Sequence, residues 1–351
     1  MSGWRTAVGI PTFVRIKPGA LDRLGIYAAR HDHRQVALIA SEGLPAPIVA
    51  RAEQVLHAEG AERVVNIEAE EASFEAAAGL VAHLPRDLDA VVGLGGGKAL
   101  DVAKYAAFLA GKPMYAVPTS LSNDGFCSPR SSLTLQGKRR SLPAALPFAV
   151  VVDTAVVEGA PSVLWWSGVG DLVAKVTAVR DWKLAYHALG EPVDDFAALL
   201  SDATVSQFLS RPERDHEGLR LLATALMLNG IAMAVCGSSR PASGSEHLIS
   251  HALDAISERP RLHGLQVGMA TYLVSRLQGE GTSRIAGALD RTGFWDGIRH
   301  DPFSRAEWLE AVAMAPGLDP RRYTILSTRD SAPEVAAMID QDERLRGCFA
   351  R

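Results

Sequence analysis

Cysteine is scarce in this chain. Three occur in 351 residues (Cys127, Cys236 and Cys348), far apart and without a CxxC pair. An odd, sparse set fits a reducing cytoplasm, so a cytoplasmic protein is expected. Charge of one sign is also lacking: the net formal charge is −4, with no long run of like charge. The densest basic stretch, Lys138-Arg139-Arg140, is too short for a nucleic-acid face or a membrane-surface patch. No uninterrupted apolar run approaches the ~20 residues of a membrane span. The opening Met1-Ser2-Gly3-Trp4-Arg5 has no apolar signal core. Internal repeats and low-complexity segments are absent. The expectation is a soluble protein with no nucleic-acid partner and no membrane insertion.

An apolar content of 48% over 351 residues supports two ordinary domains. Up to residue 160 short apolar runs alternate with helical patterns. Val36-Ala37-Leu38-Ile39-Ala40, Arg63-Val64-Val65-Asn66-Ile67, Asp89-Ala90-Val91-Val92-Gly93-Leu94, Pro113-Met114-Tyr115-Ala116-Val117-Pro118 and Phe148-Ala149-Val150-Val151-Val152-Asp153 read as buried parallel strands. Helical periodicity fills 47–59, 73–83 and 98–110, and shorter antiparallel pieces precede the last strand. Repeated βα units imply a parallel sheet covered by helices on both faces. Beyond Pro161 only helical patterns follow, at 165–187, 219–236, 246–257 and 264–279. The expected division is 1–160, α/β, and 161–351, all-α.

Two loops and one histidine cluster carry the chemistry. Gly93-Leu94-Gly95-Gly96-Gly97-Lys98-Ala99-Leu100-Asp101 joins a strand to a helix. Glycines let backbone N–H groups approach a phosphate, and a helix N-terminus adds a positive dipole end. The spacing is neither GxGxxG nor Walker A, and a plain tight turn stays open. Pro118-Thr119-Ser120-Leu121-Ser122-Asn123-Asp124-Gly125 follows the next strand, so both loops should lie at one sheet edge. In Ser243-Gly244-Ser245-Glu246-His247-Leu248-Ile249-Ser250-His251, the two imidazoles share a helix face. His263 follows a turn at Arg259-Pro260 that would fold a second helix back. With Asp171 upstream, a metal site is the leading reading. Asp171 also reads as an acid at a helix start, and Lys175, one turn on, as its ion-pair partner.

Gly-Gly-Gly-Lys-x-x-Asp, Pro-Thr-Ser-x-Ser-Asn-Asp-Gly, Gly-Asp-Leu-x-Ala-Lys, Ser-Gly-Ser-Glu-His and His-Gly occur in that order. With Lys17-Pro18-Gly19-Ala20-Leu21 and Arg322-Tyr323-Thr324-Ile325-Leu326, they make the chain similar to the glycerol-1-phosphate dehydrogenase family. That family lies within the wider glycerol dehydrogenase and dehydroquinate synthase-like group. The resemblance implies a Rossmann-like nucleotide-binding domain, an all-α metal- and substrate-binding domain, and an active site in the cleft between them. It implies that Gly95, Gly96, Gly97, Lys98 and Asp101, helped by Thr119, Ser120, Ser122 and Ser128, hold NAD or NADP. It implies that Asp171, His247 and His263 bind one divalent metal, usually zinc, and that Asp124 and His251 face the substrate.

One departure stands out. The family usually has Glu after His-Gly, and here Leu265 precedes Gln266. The substrate pocket and the surroundings of the metal are therefore open to change.

The implied reaction is a hydride transfer between a nicotinamide and a phosphorylated polyol, such as sn-glycerol 1-phosphate, giving its ketone, dihydroxyacetone phosphate. Three protein ligands leave positions open for a substrate oxygen. His251 would relay a proton, or simply pack. Lys138-Arg139-Arg140 is a weak candidate for a phosphate contact. Glu42, after the strand ending at Ser41, would favour NAD if it pointed inward. Three other readings stay open: a cyclase of the dehydroquinate synthase type, a dehydrogenase of an unphosphorylated polyol, and a non-catalytic nucleotide binder. A homo-oligomer is expected from apolar helical surface in the C-terminal half.

Overall fold

The computed structural model describes residues 9–350. The opening five residues considered above lie outside the described residues. The chain divides into two compact units between Ala160 and Pro161.

Among the described residues the first unit holds eight strands: β1 (Phe13–Lys17), β2 (Gln35–Ser41), β3 (Arg63–Ala69), β4 (Ala90–Gly95), β5 (Met114–Pro118), β6 (Arg130–Leu135), β7 (Lys138–Pro143) and β8 (Ala149–Asp153). Six form one sheet in the order β1-β8-β5-β4-β2-β3, and every pair is parallel. The strands read from apolar runs are β2, β3, β4, β5 and β8. The burial of β2, β4, β5 and β8 on both faces follows from helices α1 (Leu24–Ala29), α2 (Ala46–Ala58), α3 (Phe74–His83), α4 (Gly97–Ala110) and α5 (Thr154–Glu158), whereas β3, at the sheet edge, is only partly buried. On one face Val36, Leu38, Val92, Leu94, Tyr115 and Val151 pack with Leu24, Tyr27 and Leu56.

The chain runs outward from β2 to β3, then returns past β2 to β4. The order therefore reverses between β2 and β4, and ligands of open α/β sheets bind beyond the strand ends at such a point. Register pairs Ala40 with Leu94, so Ser41 and the glycine turn leave the sheet side by side. Strands β6 and β7 form a separate antiparallel hairpin.

The second unit is built on α6 (Ser162–Leu189), α7 (Asp195–Ser210), α8 (His216–Cys236), α9 (Ser245–Ile256), α10 (His263–Gln278), α11 (Thr282–Arg291), α12 (Phe294–His300), α13 (Arg305–Leu318) and α14 (Ala332–Gln341). Residues 167–179 of α6 are buried without a break, as in a central helix packed on all sides, and they include the charged Asp171 and Lys175. Helix α8 is, among the described residues, the one helix long and apolar enough to cross a membrane, and 61% of its most apolar window is buried.

The second unit is mostly helical, as expected, with one small addition to the all-α reading of 161–351. Two short strands, β9 (Phe303–Ser304) and β10 (Phe349–Ala350), pair in parallel there. They form because Phe303 and Phe349 both pack on the ring of Trp308. Two residues are too few to leave a periodic signal.

Candidate metal and nucleotide sites

The glycine turn begins inside β4. Gly95 has φ of 141°, and a β-carbon there would lie 2.1 Å from Ser41 Oγ. Only glycine fits. Ser41 Oγ accepts a hydrogen bond from the Gly96 N–H (3.0 Å), which locks the turn to the end of β2. The Thr119 N–H donates to the Gly95 carbonyl (3.0 Å), so the loop after β5 is fastened to the same turn. Beside the missing β-carbons of Gly96 and Gly97 lie only Ser120 Oγ at 3.8 Å and Asn123 Nδ2 at 3.6 Å. This leaves an open cradle at the N-terminus of α4, lined by backbone N–H groups and small polar side chains.

Gly95, Gly96, Gly97, Thr119 and Ser120 thus come together. Lys98 is exposed on the first turn of α4. Asp101 and Ser128 are buried and bonded inward. Asp101 pairs with Lys104 (3.3 Å), and Ser128 Oγ accepts from the Arg130 N–H (3.1 Å). Burial raises the pKa of Asp101 against the pull of Lys104 and Arg139. Lys104, itself 2% exposed, also donates to the Gly125 carbonyl and so fixes the short 3-10 turn Asp124–Cys127. Ser122 and Asp124 are half-buried in this loop. Lys138, Arg139 and Arg140 are exposed on β7, where Arg139 Nε donates to Ser132 Oγ. Glu42 is exposed.

In the second unit, α6 and α10 touch backbone to backbone. A β-carbon on Gly170 would lie 2.0 Å from the Gly264 carbonyl oxygen, and one on Gly264 would lie 1.8 Å from that of Ser167. The Ser167 hydroxyl accepts from the Gly264 N–H (3.2 Å). Each of these glycines adjoins a polar residue, so the close approach carries Asp171 to His263. The turn over 257–262 returns α10 beside α9 and brings in His247. One donor atom from each of Asp171, His247 and His263 lies within 4.8 Å of the others. Both Nε2 atoms face Asp171 Oδ1, at 3.5 Å from His247 and 4.0 Å from His263. Lys175 Nζ is 3.2 Å from the same oxygen and fully buried. Asp171 lies well inside α6, not at a helix start, so the dipole reading fails for it.

The donor chemistry suits a divalent transition ion: one carboxylate and two imidazoles, three ligands that leave coordination positions unfilled. Burial alone would raise the Asp171 pKa, but Lys175, His247 and His263 hold it well below the carboxylate range. Burial alone would lower His247, yet Asp171 and Glu246 raise it. A proton therefore competes with a metal at His247 more strongly than at an ordinary histidine.

His251 is exposed one turn beyond His247, its ring 6.4 Å from that of His247 and 6.3 Å from that of His263. Leu265 is buried at 6% exposure and occupies core, whereas its neighbour Gln266 bonds Ser250. The end motifs fasten loops. Asp153 accepts from the N–H groups of Gly19 and Leu21. Arg322 donates to the Ser243 carbonyl, and the Ile325 N–H donates to Asp181. Sequence reasoning gave Glu246, Ser250 and Gln266 no role. Glu246 is wholly buried against His247, and its adjacency to that histidine was the available signal.

A parallel α/β unit followed by a helical unit is a fold this chain shares with solved structures of dehydrogenases and reductases. The glycerol dehydrogenase of Schizosaccharomyces pombe matches with a TM-score of 0.75 at 18% identity, over 99% of this chain and 96% of that one. The family described as iron-containing alcohol dehydrogenase matches residues 15–161. Sequence similarity is more specific. The chain is 36% identical over 345 residues to the glycerol-1-phosphate dehydrogenase (NAD(P)+) of Aeropyrum pernix, covering 95% of this chain and 96% of the relative. It is 42% identical over 251 residues to the enzyme of the same name from Cenarchaeum symbiosum, 71% of each chain. The chain belongs to the glycerol-1-phosphate dehydrogenase family.

Proposed function

We propose that this chain is a zinc-dependent, NAD(P)-linked dehydrogenase that interconverts sn-glycerol 1-phosphate and dihydroxyacetone phosphate in the cytoplasm. The observation that carries the reading is the grouping of Asp171, His247 and His263, in a chain with these relatives. The first unit takes the dinucleotide, and the second takes the metal and the substrate. Asp171 and the two Nε2 atoms would hold the zinc. When bound, zinc supplies Lewis-acid stabilisation of the substrate oxygen, and the nicotinamide accepts or returns the hydride.

The rest is the work of the chain's own groups. The Gly97 N–H, at the start of α4, holds the pyrophosphate, with Gly96, Thr119, Ser120 and Ser122 beside it and Lys98 at the rim. Asp101 acts on the nucleotide through the loops it fixes, since its carboxylate is paired with Lys104. Asp124 orients the substrate. His251, exposed beside the two imidazoles, passes the carbinol proton to solvent. The apolar side chains exposed at the α6–α7 turn, Tyr186, Leu189, Phe196 and Leu199, suit contact between copies of the chain.

The activity test uses zinc-reconstituted protein with dihydroxyacetone phosphate and NADH or NADPH. Reduced cofactor should be consumed in proportion to product. Turnover confined to an unphosphorylated polyol would remove the phosphate from the proposal. A sugar phosphate consumed without net redox change would point to cyclase chemistry.

The cradle has its own test. Gly95→Ala should weaken NADH binding at least about tenfold, the equivalent of ~1.4 kcal/mol, because Ser41 must move away from the turn. Fluorescence titration reads this directly, and wild-type affinity in the variant would place the nucleotide elsewhere.

A further inference from the structure

The two imidazoles facing Asp171 are each held from behind by a different buried group. His247 Nδ1 is 2.9 Å from Glu246 Oε1. That carboxylate is wholly buried and also accepts from the Gly244 N–H (2.5 Å) and the Thr177 hydroxyl (2.8 Å). An ionised carboxylate only accepts, so the hydrogen between ring and carboxylate belongs to Nδ1. His263 Nδ1 is 3.1 Å from Ser250 Oγ, and Ser250 donates to Gln266 Oε1 at 2.7 Å. A serine hydroxyl has a single proton. Spent on Gln266, it leaves Ser250 Oγ to accept from His263 Nδ1–H. Ser250 is fully buried and Gln266 is 2% exposed, so water does not readily replace either.

We propose that Glu246 and the Ser250–Gln266 pair are positioning residues that set His247 and His263 in the same tautomer, hydrogen on Nδ1 and a free pair on Nε2. Both rings are then ordered as ligands before an ion arrives. The two devices differ in charge: a carboxylate stands behind His247 and a neutral hydroxyl–amide relay behind His263. The inference rests on the reading of Asp171, His247 and His263 as ligands. Partners behind metal-binding imidazoles typically change metal affinity by about 10–100-fold.

The test is zinc affinity of the full chain, by competition with a chelator, beside thermal melting in excess chelator. Ser250→Ala should weaken zinc about tenfold, and Ser250→Thr, which keeps the hydroxyl, should return to within about threefold of wild type. Melting of chelated Ser250→Ala should fall by a few degrees, because Gln266 Oε1 loses its donor, and Ser250→Thr should melt close to wild type. Glu246→Met, which cannot accept from Nδ1–H, should weaken zinc about tenfold as well, whereas Glu246→Gln keeps an acceptor and should stay within about threefold; equal affinities of the two overturn the role of Glu246. Wild-type affinity in Ser250→Ala, or equal losses in the Ala and Thr variants, overturns the proposal. Should Ser250→Ala not fold, the comparison moves to Gln266. Glu at that position accepts and should retain zinc within about threefold, Met cannot and should lose about tenfold, and equal affinities overturn the relay. If His263→Ala binds zinc as tightly as wild type, the ligand reading itself falls, a result distinct from failure of the positioning residues alone.

Discussion

His263→Ala is expected to lower turnover by about a thousandfold while leaving NADH affinity within about threefold of wild type. Lewis-acid stabilisation is worth several kcal/mol, and each ~1.4 kcal/mol is a factor of ten in rate. His263 has a side chain 30% exposed, so its removal opens space that water fills and leaves little strain. The glycine cradle belongs to the other compact unit and keeps Gly95, Ser41 and Thr119 in place. Steady-state rates with zinc present, set beside a fluorescence titration of NADH, separate the two effects. A variant with wild-type turnover would remove His263 from the ligand set. A parallel collapse of cofactor affinity would mean that the substitution unfolds more than the metal site.

Asp171→Leu should be the most damaging single change to stability in the second unit. Asp171 and Lys175 are both buried, with 3.2 Å between Oδ1 and Nζ. Breaking a buried ion pair from one side strands the other charge and costs about 3–5 kcal/mol. The double change Asp171→Leu with Lys175→Met removes both charges and should recover most of that loss. The double variant should still fail to bind zinc. Denaturant unfolding of metal-free protein measures the first effect, and metal content after dialysis measures the second. If the single variant is as stable as wild type, Lys175 does not depend on Asp171 to remain charged and buried. If the double variant keeps its metal, Asp171 is not a ligand.

Much of the architecture was legible because the buried strands announce themselves. Val36–Ala40 and Val150–Val152 are apolar on both faces, which only a sheet covered on both sides permits. Strand β1 was missed for a physical reason. Phe13–Lys17 is an edge strand, half-buried from Phe13 to Ile16 and exposed at Lys17, and its place depends on pairing with β8 far along the chain. The two-residue strands β9 and β10 likewise owe their existence to tertiary packing on Trp308. The residues grouped as a metal site were readable because His247, His251 and His263 are close in sequence. Asp171 was less so, since its link to His263 runs through Gly170 and Gly264, whose meeting no local pattern encodes. Ser250 and Gln266 carry no signal at all until two helices are packed together.

The most direct measurement is anomalous scattering at the zinc edge from crystals of the zinc-loaded chain. The account predicts one strong peak per chain, bonded to a carboxylate oxygen of Asp171 and to Nε2 of both His247 and His263, with Nδ1 of each ring still against Glu246 or Ser250. No peak at these three side chains, or a peak reached through Nδ1, would contradict it.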